Sequence, residues 1–189
     1  MSSARRIKVS EASGVRNALW AEIVTLSNVV STCPAGNGSS WNTSNPAWAS
    51  LPARNAAMFA APGTLYVYRS YGIHWCVNVA CEPEGTGAAV LLRAVEPTHG
   101  IEEMRRRRRG VPDALLCAGP GRLAQALAIT AEGDGQPIFE PPFALLPPDG
   151  PVEVVATPRV GITKAVALRW RYVVTGSSWA SRGPRRAPP

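Results

Sequence analysis

The sequence is poor in the residues that most often declare a chemistry. It holds four cysteines, two histidines and only two lysines. Cys33, Cys76, Cys81 and Cys117 form no CxxC pair. Cys76 and Cys81 are an odd number of residues apart, so on a strand they would face opposite ways. With only His74 and His99 besides, no zinc site is expected. The thiols read as reduced, mostly buried and cytosolic. No apolar run approaches the roughly 20 residues of a membrane helix. The first residues, MSSARRIKVSEASG, are basic but carry no apolar stretch, so no secretory leader is expected. Acid is missing too: no Asp or Glu occurs between Glu22 and Glu82. Chemistry that needs a carboxylate in that stretch has none to use.

What is present is arginine. Lysine and arginine together number 20, against 13 acids, for a net charge of +7. Arginine forks onto phosphates and stacks on flat groups. A sequence pI near 9.8 makes nucleic acid the first partner to consider. The alternative is an ordinary basic protein from an arginine-rich genome. Hydrophobic residues make up 46% of the 189, enough for one domain with tails.

The pattern along the chain suggests a single α+β domain with a mostly antiparallel, curved sheet and a protruding β-hairpin. Residues 1–20 read as a loose arm, and 19–30 as a strand or short helix. The Gly-, Ser-, Asn- and Pro-rich stretch 31–50 reads as loop, with Trp41 and Trp48 unexpectedly inside it. TLYVYRSYGIHWCVNVAC predicts two strands around Tyr71-Gly72. The second is expected to be half-buried, with Ile73, Trp75, Val77 and Val79 on one face and His74, Cys76, Asn78 and Ala80 on the other. EPEGTG is a turn and AAVLLRAVEP a strand. GIEEMRRRRR predicts a helix with acids early and bases late, which suits its dipole. LLCAGPGRLAQALAI predicts a Gly-Pro turn and a helix. Residues 131–151 read as surface loop, VEVVATPRVGI and ALRWRYVVTG as strands, and SRGPRRAPP as a mobile basic tail.

Four residues on the predicted hairpin, Tyr68, Tyr71, His74 and Asn78, invite chemistry. A tyrosine at a tight turn is either a core-edge residue with a bonded hydroxyl or a wedge for a base-pair step. Asn78 lies among apolar neighbours, where its amide must bond the backbone or test the edge of a base. Arg93 is a charge inside AAVLLRAV, and a buried arginine wants a carboxylate, a phosphate or ordered water.

The string RNAAMFAAPGTLYVYRSYGIHWCVNVA, then AAVLLRAVEP, LLCAGPGRLAQALAI, TPRVGI and WRYVVTGSSWAS, closely resembles the alkyladenine (3-methyladenine) DNA glycosylase family. The resemblance runs from about 51 to 182, leaving 1–50 as a divergent N-terminal segment and 183–189 as a tail. It implies a monofunctional enzyme that flips an alkylated purine out of duplex DNA and hydrolyses its N-glycosidic bond with water. It implies no metal and no cofactor. Tyr71 matches the residue that fills the gap left by the flipped nucleotide, and its neighbours Ile73 and His74 are assigned with it to the DNA contact. Tyr68 matches a wall of the base pocket. Asn78 matches the gate that disfavours guanine through its exocyclic amine. Arg93 matches the arginine that helps hold the water, and Val160 the position whose carbonyl also contacts it.

One segment departs from the family. Where the family reads like IVETEAY, with the second Glu as general base, this chain reads IVTLSNVV. Aligned on Ile23-Val24, the base position holds Ser27 and the pocket tyrosine becomes Val29. Glu22 lies five residues too early, on the wrong strand face. Two readings follow. Residues 1–50 are a frameshifted or mis-called segment, or the protein binds damaged DNA without cutting it. The run Arg105–Arg109 is either a solvated helix end or a set of phosphate contacts. The expected setting is a monomer in the bacterial cytoplasm, near the nucleoid and away from membranes.

Overall fold

The computed structural model describes residues 6–9, 19–29, 53–146, 150–162 and 167–180, with backbone alone for 6–9, 19–29 and 53–54. Expectations about the 31–50 loop, Trp41, Trp48, Cys33 and the 183–189 tail fall outside these residues.

Eight strands form one sheet: β1 (Arg6–Val9), β2 (Leu19–Val29), β3 (Leu65–Ser70), β4 (His74–Ala80), β5 (Ala89–His99), β6 (Phe143–Leu146), β7 (Val154–Thr157) and β8 (Arg171–Val174). All their pairings are antiparallel, in the order β3-β4-β5-β2-β1-β6. The single α+β domain expected from the sequence is therefore present. β2 is its hub. One edge of β2 runs along β5; the other is shared by β1 and β8, and β8 carries β7.

Two elements correct the sequence reading. The expected loose arm contains β1, which is stitched between β2 and β6. The expected surface loop 131–151 contains β6 and buries Ile138 and Phe143. That segment also covers the free edge of β3. Val67 N–H donates to Asp134 Oδ1 (2.8 Å), Leu65 N–H to the Gln136 carbonyl (2.8 Å), and Ile138 N–H to the Gly63 carbonyl (2.9 Å). An edge strand so covered offers no template to another chain. The last two predicted strands are shorter than drawn, at Val154–Thr157 and Arg171–Val174.

Two short helices, α1 (Ile101–Arg107) and α2 (Pro120–Ala126), lie against one face of the sheet. α1 begins after Gly100, whose φ of 71° a residue with a Cβ adopts at a cost. α2 starts with Pro120 at its first turn, where the missing N–H goes unused. Met104, Leu116, Leu123 and Leu127 pack there with Leu65, Val67, Val77, Leu92 and Val95. Each such side chain contributes about 1.5–3 kcal/mol on burial. A smaller cluster, Ala57, Met58, Tyr66 and Ala89, covers the opposite face. β4 is therefore buried on both faces rather than half-buried: Cys76, Val77, Asn78 and Ala80 are all enclosed.

Candidate functional site

The β3–β4 hairpin presents the site. Its strands are in register from Leu65↔Val79 to Ser70↔His74, so Tyr66, Tyr68, Cys76 and Asn78 share a face. On the other face the Arg69 guanidinium lies 5.5 Å from the Trp75 ring centre, a cation–π pair that stiffens the hairpin. The tip is Tyr71-Gly72-Ile73. Tyr71 is 95% exposed and sits at φ 51°, in the left-handed region a side chain avoids. This removes the reading of Tyr71 as a core-edge tyrosine. Ile73 lies in the turn rather than in β4 and is 66% exposed. Two large apolar side chains thus stand in water at one hairpin tip, beyond what folding needs.

Behind the tip, one face of the hairpin carries a cluster of aromatic and polar side chains. Tyr68 stacks on Tyr66, with ring centres 5.3 Å apart and planes 24° from parallel. Burial, and then the adjacent Cys76, push the Tyr68 hydroxyl up to about 12, so it stays protonated and bonded to the Cys76 sulfur. Burial also raises the Cys76 thiol above its usual value, which keeps it a thiol rather than a nucleophilic thiolate. Asn78 is fully buried. Its Nδ2 donates to the Tyr66 carbonyl at 3.0 Å, while Oδ1 accepts no hydrogen bond from the protein. Arg93, two residues from Leu91 on β5, has a buried Nε with no hydrogen-bond partner. Val160 leads into Gly161, where an added Cβ would lie 3.8 Å from Arg93 Nη2. The structure therefore brings Arg93 beside the Val160-Gly161 segment, and Tyr68 and Asn78 onto one face of the hairpin.

Ser27 enters through the strand register. It is the Cα partner of Leu91 on β5 and of Arg171 on β8, and Leu91 is in turn the partner of Asn78. Glu22 pairs instead with Glu96 and Arg6, five residues along β2. The acid nearest in sequence is thus displaced from the row that holds Asn78, Ser27 and Arg171.

His74 is exposed and faces a different concavity. A groove of about 1030 Å³ is lined by His74, Arg108, Arg122, Gln125 and Ser178, among others. It runs along α2 and contains none of Tyr68, Asn78 or Arg93. Arg122 and Ser178 had no sequence signal beyond the general basic bias. The arginine run is mostly employed within the chain. Arg105 pairs with Glu102 and with Asp113 (2.5 Å), and Arg106 with Glu103. Arg107 pairs with Glu103 (2.9 Å) and donates to the Ala126 carbonyl; Arg108 donates to the Leu116 carbonyl and to Gln125 Oε1 (2.6 Å). Cys76 and Cys117 are buried free thiols, but Cys81 is exposed. Among the described residues no cluster of His, Cys, Asp and Glu could hold a metal ion.

The sequence profile of the methylpurine-DNA glycosylase family matches residues 42–178, starting nine residues before Leu51. A protein of Rhodopseudomonas palustris strain HaA2, named as a 3-methyladenine DNA glycosylase, is 57% identical over 130 residues, covering 68% of this chain and 64% of its own. Proteins of the same name from Nitrosospira multiformis (53% over 135 residues, 71% of this chain and 69% of theirs) and Bradyrhizobium diazoefficiens (56% over 129 residues, 68% and 64%) are comparably similar. The chain thus spans slightly under two thirds of the length of several of these relatives. A matched span of this length and identity, over the residues that build the hairpin and the Val160 segment, shows that the chain belongs to the methylpurine-DNA glycosylase family.

Proposed function

We propose that this chain recognises alkylated purines in double-stranded DNA, flips the damaged nucleotide and hydrolyses its N-glycosidic bond. It does so as a monomer in the cytoplasm, at the nucleoid, as the first step of base excision repair. The observation that carries the reading is Tyr71, 95% exposed on a strained tip of the same hairpin that carries Tyr68 and Asn78 on one face. Solvation and strain are both spent on that tip, and a wedge between base pairs recovers them.

In this reading Tyr71 and Ile73 fill the gap in the duplex, and the flipped base stacks on Tyr68. Asn78 cannot turn aside without losing its bond to the Tyr66 carbonyl, so a purine with an exocyclic amine at that edge is refused. Arg93 and the Val160 carbonyl hold a water. Its oxygen attacks C1′, the C1′–N bond breaks with its electron pair going to the purine, and the water proton passes to solvent. No carboxylate stands at Ser27 to take that proton, and a serine hydroxyl is no base near neutral pH. Cleavage is therefore restricted to purines whose alkylation leaves them cationic and ready to depart. DNA backbone on the far side of the hairpin follows the His74, Arg108 and Arg122 groove.

The register of Ser27 also favours a second reading, a protein that binds such lesions without cutting them. One assay decides. The chain is incubated with duplexes carrying a single 3-methyladenine or ethenoadenine, then treated with alkali. Strand breakage at the cationic lesion supports the enzyme. Lesion-selective retention without breakage supports the binder. Equal binding to undamaged duplex refutes both.

A further inference from the structure

We propose that Tyr66 is a positioning residue for recognition of the damaged base, holding both the Tyr68 ring and the Asn78 amide, and that Asn55 in turn holds Tyr66. The inference rests on the proposed function for what Tyr68 and Asn78 do, and adds what sets them in place. Tyr66 is 7% exposed and reaches the two residues through different parts of itself. Its ring stacks on Tyr68 with centres 5.3 Å apart. Its carbonyl accepts the Asn78 Nδ2 bond at 3.0 Å. Its hydroxyl donates to Asn55 Oδ1 at 3.2 Å.

The hydroxyl is what calls for an explanation. Tyr66 packs with Ala57, Met58 and Ala89, and a phenylalanine would fill that cluster as well. A buried hydroxyl loses its water and must recover a bond, so it adds nothing to apolar packing. What it adds is direction. Stacked rings tolerate a range of offsets, so the stack sets the spacing of Tyr66 and Tyr68 but not their sideways register. A hydrogen bond is directional and fixes that register.

Asn55 can serve as the fixed point because its own element is anchored elsewhere. It lies in the short 3₁₀-helix Ala53–Phe59, outside the hairpin. The Phe59 carbonyl at the end of that helix accepts from Gly85 N–H (2.8 Å). The Phe59 ring lies on Gly87, where an added Cβ would come within 2.3 Å of it. Both glycines belong to the connection between β4 and β5. The contacts therefore run from that connection through Asn55 to Tyr66, and divide there. One branch ends on the Tyr68 ring. The other ends on Asn78, whose Oδ1 is buried with no hydrogen-bond partner. A sideways shift of Tyr66 displaces both, so one side chain outside the hairpin governs the stacking surface and the amide together.

The test uses the full chain with ¹³C-labelled tyrosine rings. There are four, Tyr66, Tyr68, Tyr71 and Tyr172, and each NMR signal is assigned by its Phe variant. Without DNA, Asn55→Ala is expected to move the Tyr66 and Tyr68 signals and to leave Tyr71 and Tyr172 in place. Retention of duplexes with and without a single ethenoadenine is then compared. Asn55→Ala and Tyr66→Phe should each lower the preference for the lesion about three- to tenfold, the usual worth of one hydrogen bond. The double variant should lose no more than either alone, and Asn55→Asp, which keeps the acceptor oxygen, should retain the preference. A Tyr68 signal unmoved by Asn55→Ala, additive losses in the double variant, or full preference in Tyr66→Phe overturns the proposal. If Asn55→Ala does not fold, Tyr66→Phe gives the same reading on the Tyr68 signal. A parent chain with no preference for the lesion refutes the proposed function instead, and the Tyr68 signal still decides whether Asn55 acts through Tyr66.

Discussion

Asn78 is tied to Tyr66, its Cα partner across the hairpin, by a side-chain bond as well: its Nδ2 donates to the Tyr66 carbonyl at 3.0 Å. The bond fixes the amide plane and leaves Oδ1 buried without a hydrogen-bond partner. Asn78→Ala removes the bond and opens a cavity in a fully buried place. It is expected to cost about 1–3 kcal/mol, read by urea denaturation. If Asn78 is the gate, excision of 7-methylguanine rises relative to 3-methyladenine in the same variant. An unchanged ratio removes Asn78 from the specificity argument.

Tyr71 sets function against stability. Its φ of 51° costs roughly 1–2 kcal/mol for a residue with a Cβ. Tyr71→Gly relieves that strain and deletes no buried contact. Thermal melting should show stability unchanged or raised by up to about 1 kcal/mol, the larger unfolded-state entropy of glycine offsetting part of the gain. Lesion binding by gel retention should fall at least tenfold. Full binding by the glycine variant would show that the tip is no wedge.

The Tyr68 hydroxyl gives a pH signature. Its folded value is raised to about 12 from 10.0, chiefly by burial and then by Cys76. The folded state therefore holds the proton more tightly than the unfolded chain. The associated stability is complete below pH 10 and is lost as pH rises toward 12. For a half-exposed group the difference is roughly 1 kcal/mol after solvent screening. Burial raises Cys117 in the same direction, so both chains share that background. Denaturation at pH 9 and at pH 12 should show a smaller alkaline loss for Tyr68→Phe than for the parent.

The groove along α2 and the arginine run make opposite predictions about salt. Arg122 lines the groove, whereas Arg106 is engaged with Glu103. Arg122→Ala should lower the slope of log affinity against log salt by about 1. Arg106→Ala should leave it near the parent value. The reverse result would move the DNA track onto α1.

Ser27 is the simplest place to restore a base. It is in register with both Leu91 and Arg171 on the row that includes Asn78. Ser27→Glu is expected to raise single-turnover excision by about 10²–10⁴, the usual worth of a general base. No gain in a folded Ser27→Glu variant would argue that β2 does not set the catalytic geometry.

The hairpin, β5 and both helices were legible because their signals are local. Alternation marks β3 and β4, Tyr71-Gly72 marks the turn, and acids before bases mark α1. The family motifs named the site residues as candidates, and the structure puts Tyr68 and Asn78 on one hairpin face and Arg93 beside Val160-Gly161. What escaped was non-local. β1 is a four-residue strand whose existence depends on β2 and β6, more than 130 residues away in the second case. Nothing in RIKV announces such partners. Residues 131–151 carry the prolines and glycines of a loop, yet their backbone completes the edge of β3. The double burial of β4 was hidden for the same reason, since the segment that covers its second face lies elsewhere in the chain.

The close contact between Gly121 and His74 has a mechanical side. A single Cβ at Gly121 would come within 2.8 Å of the His74 Cβ, so the tip end of the hairpin, one residue past Ile73, rests directly on the first turn of α2. α2 in turn is embedded in the core through Leu123, Ala124 and Ala126. A hairpin that pries at a base stack feels an equal push in return. With no slack beneath its tip, that load passes into the packed interior instead of bending the hairpin. In the proposed function the DNA is then the compliant partner, and the work of opening the stack is done on it.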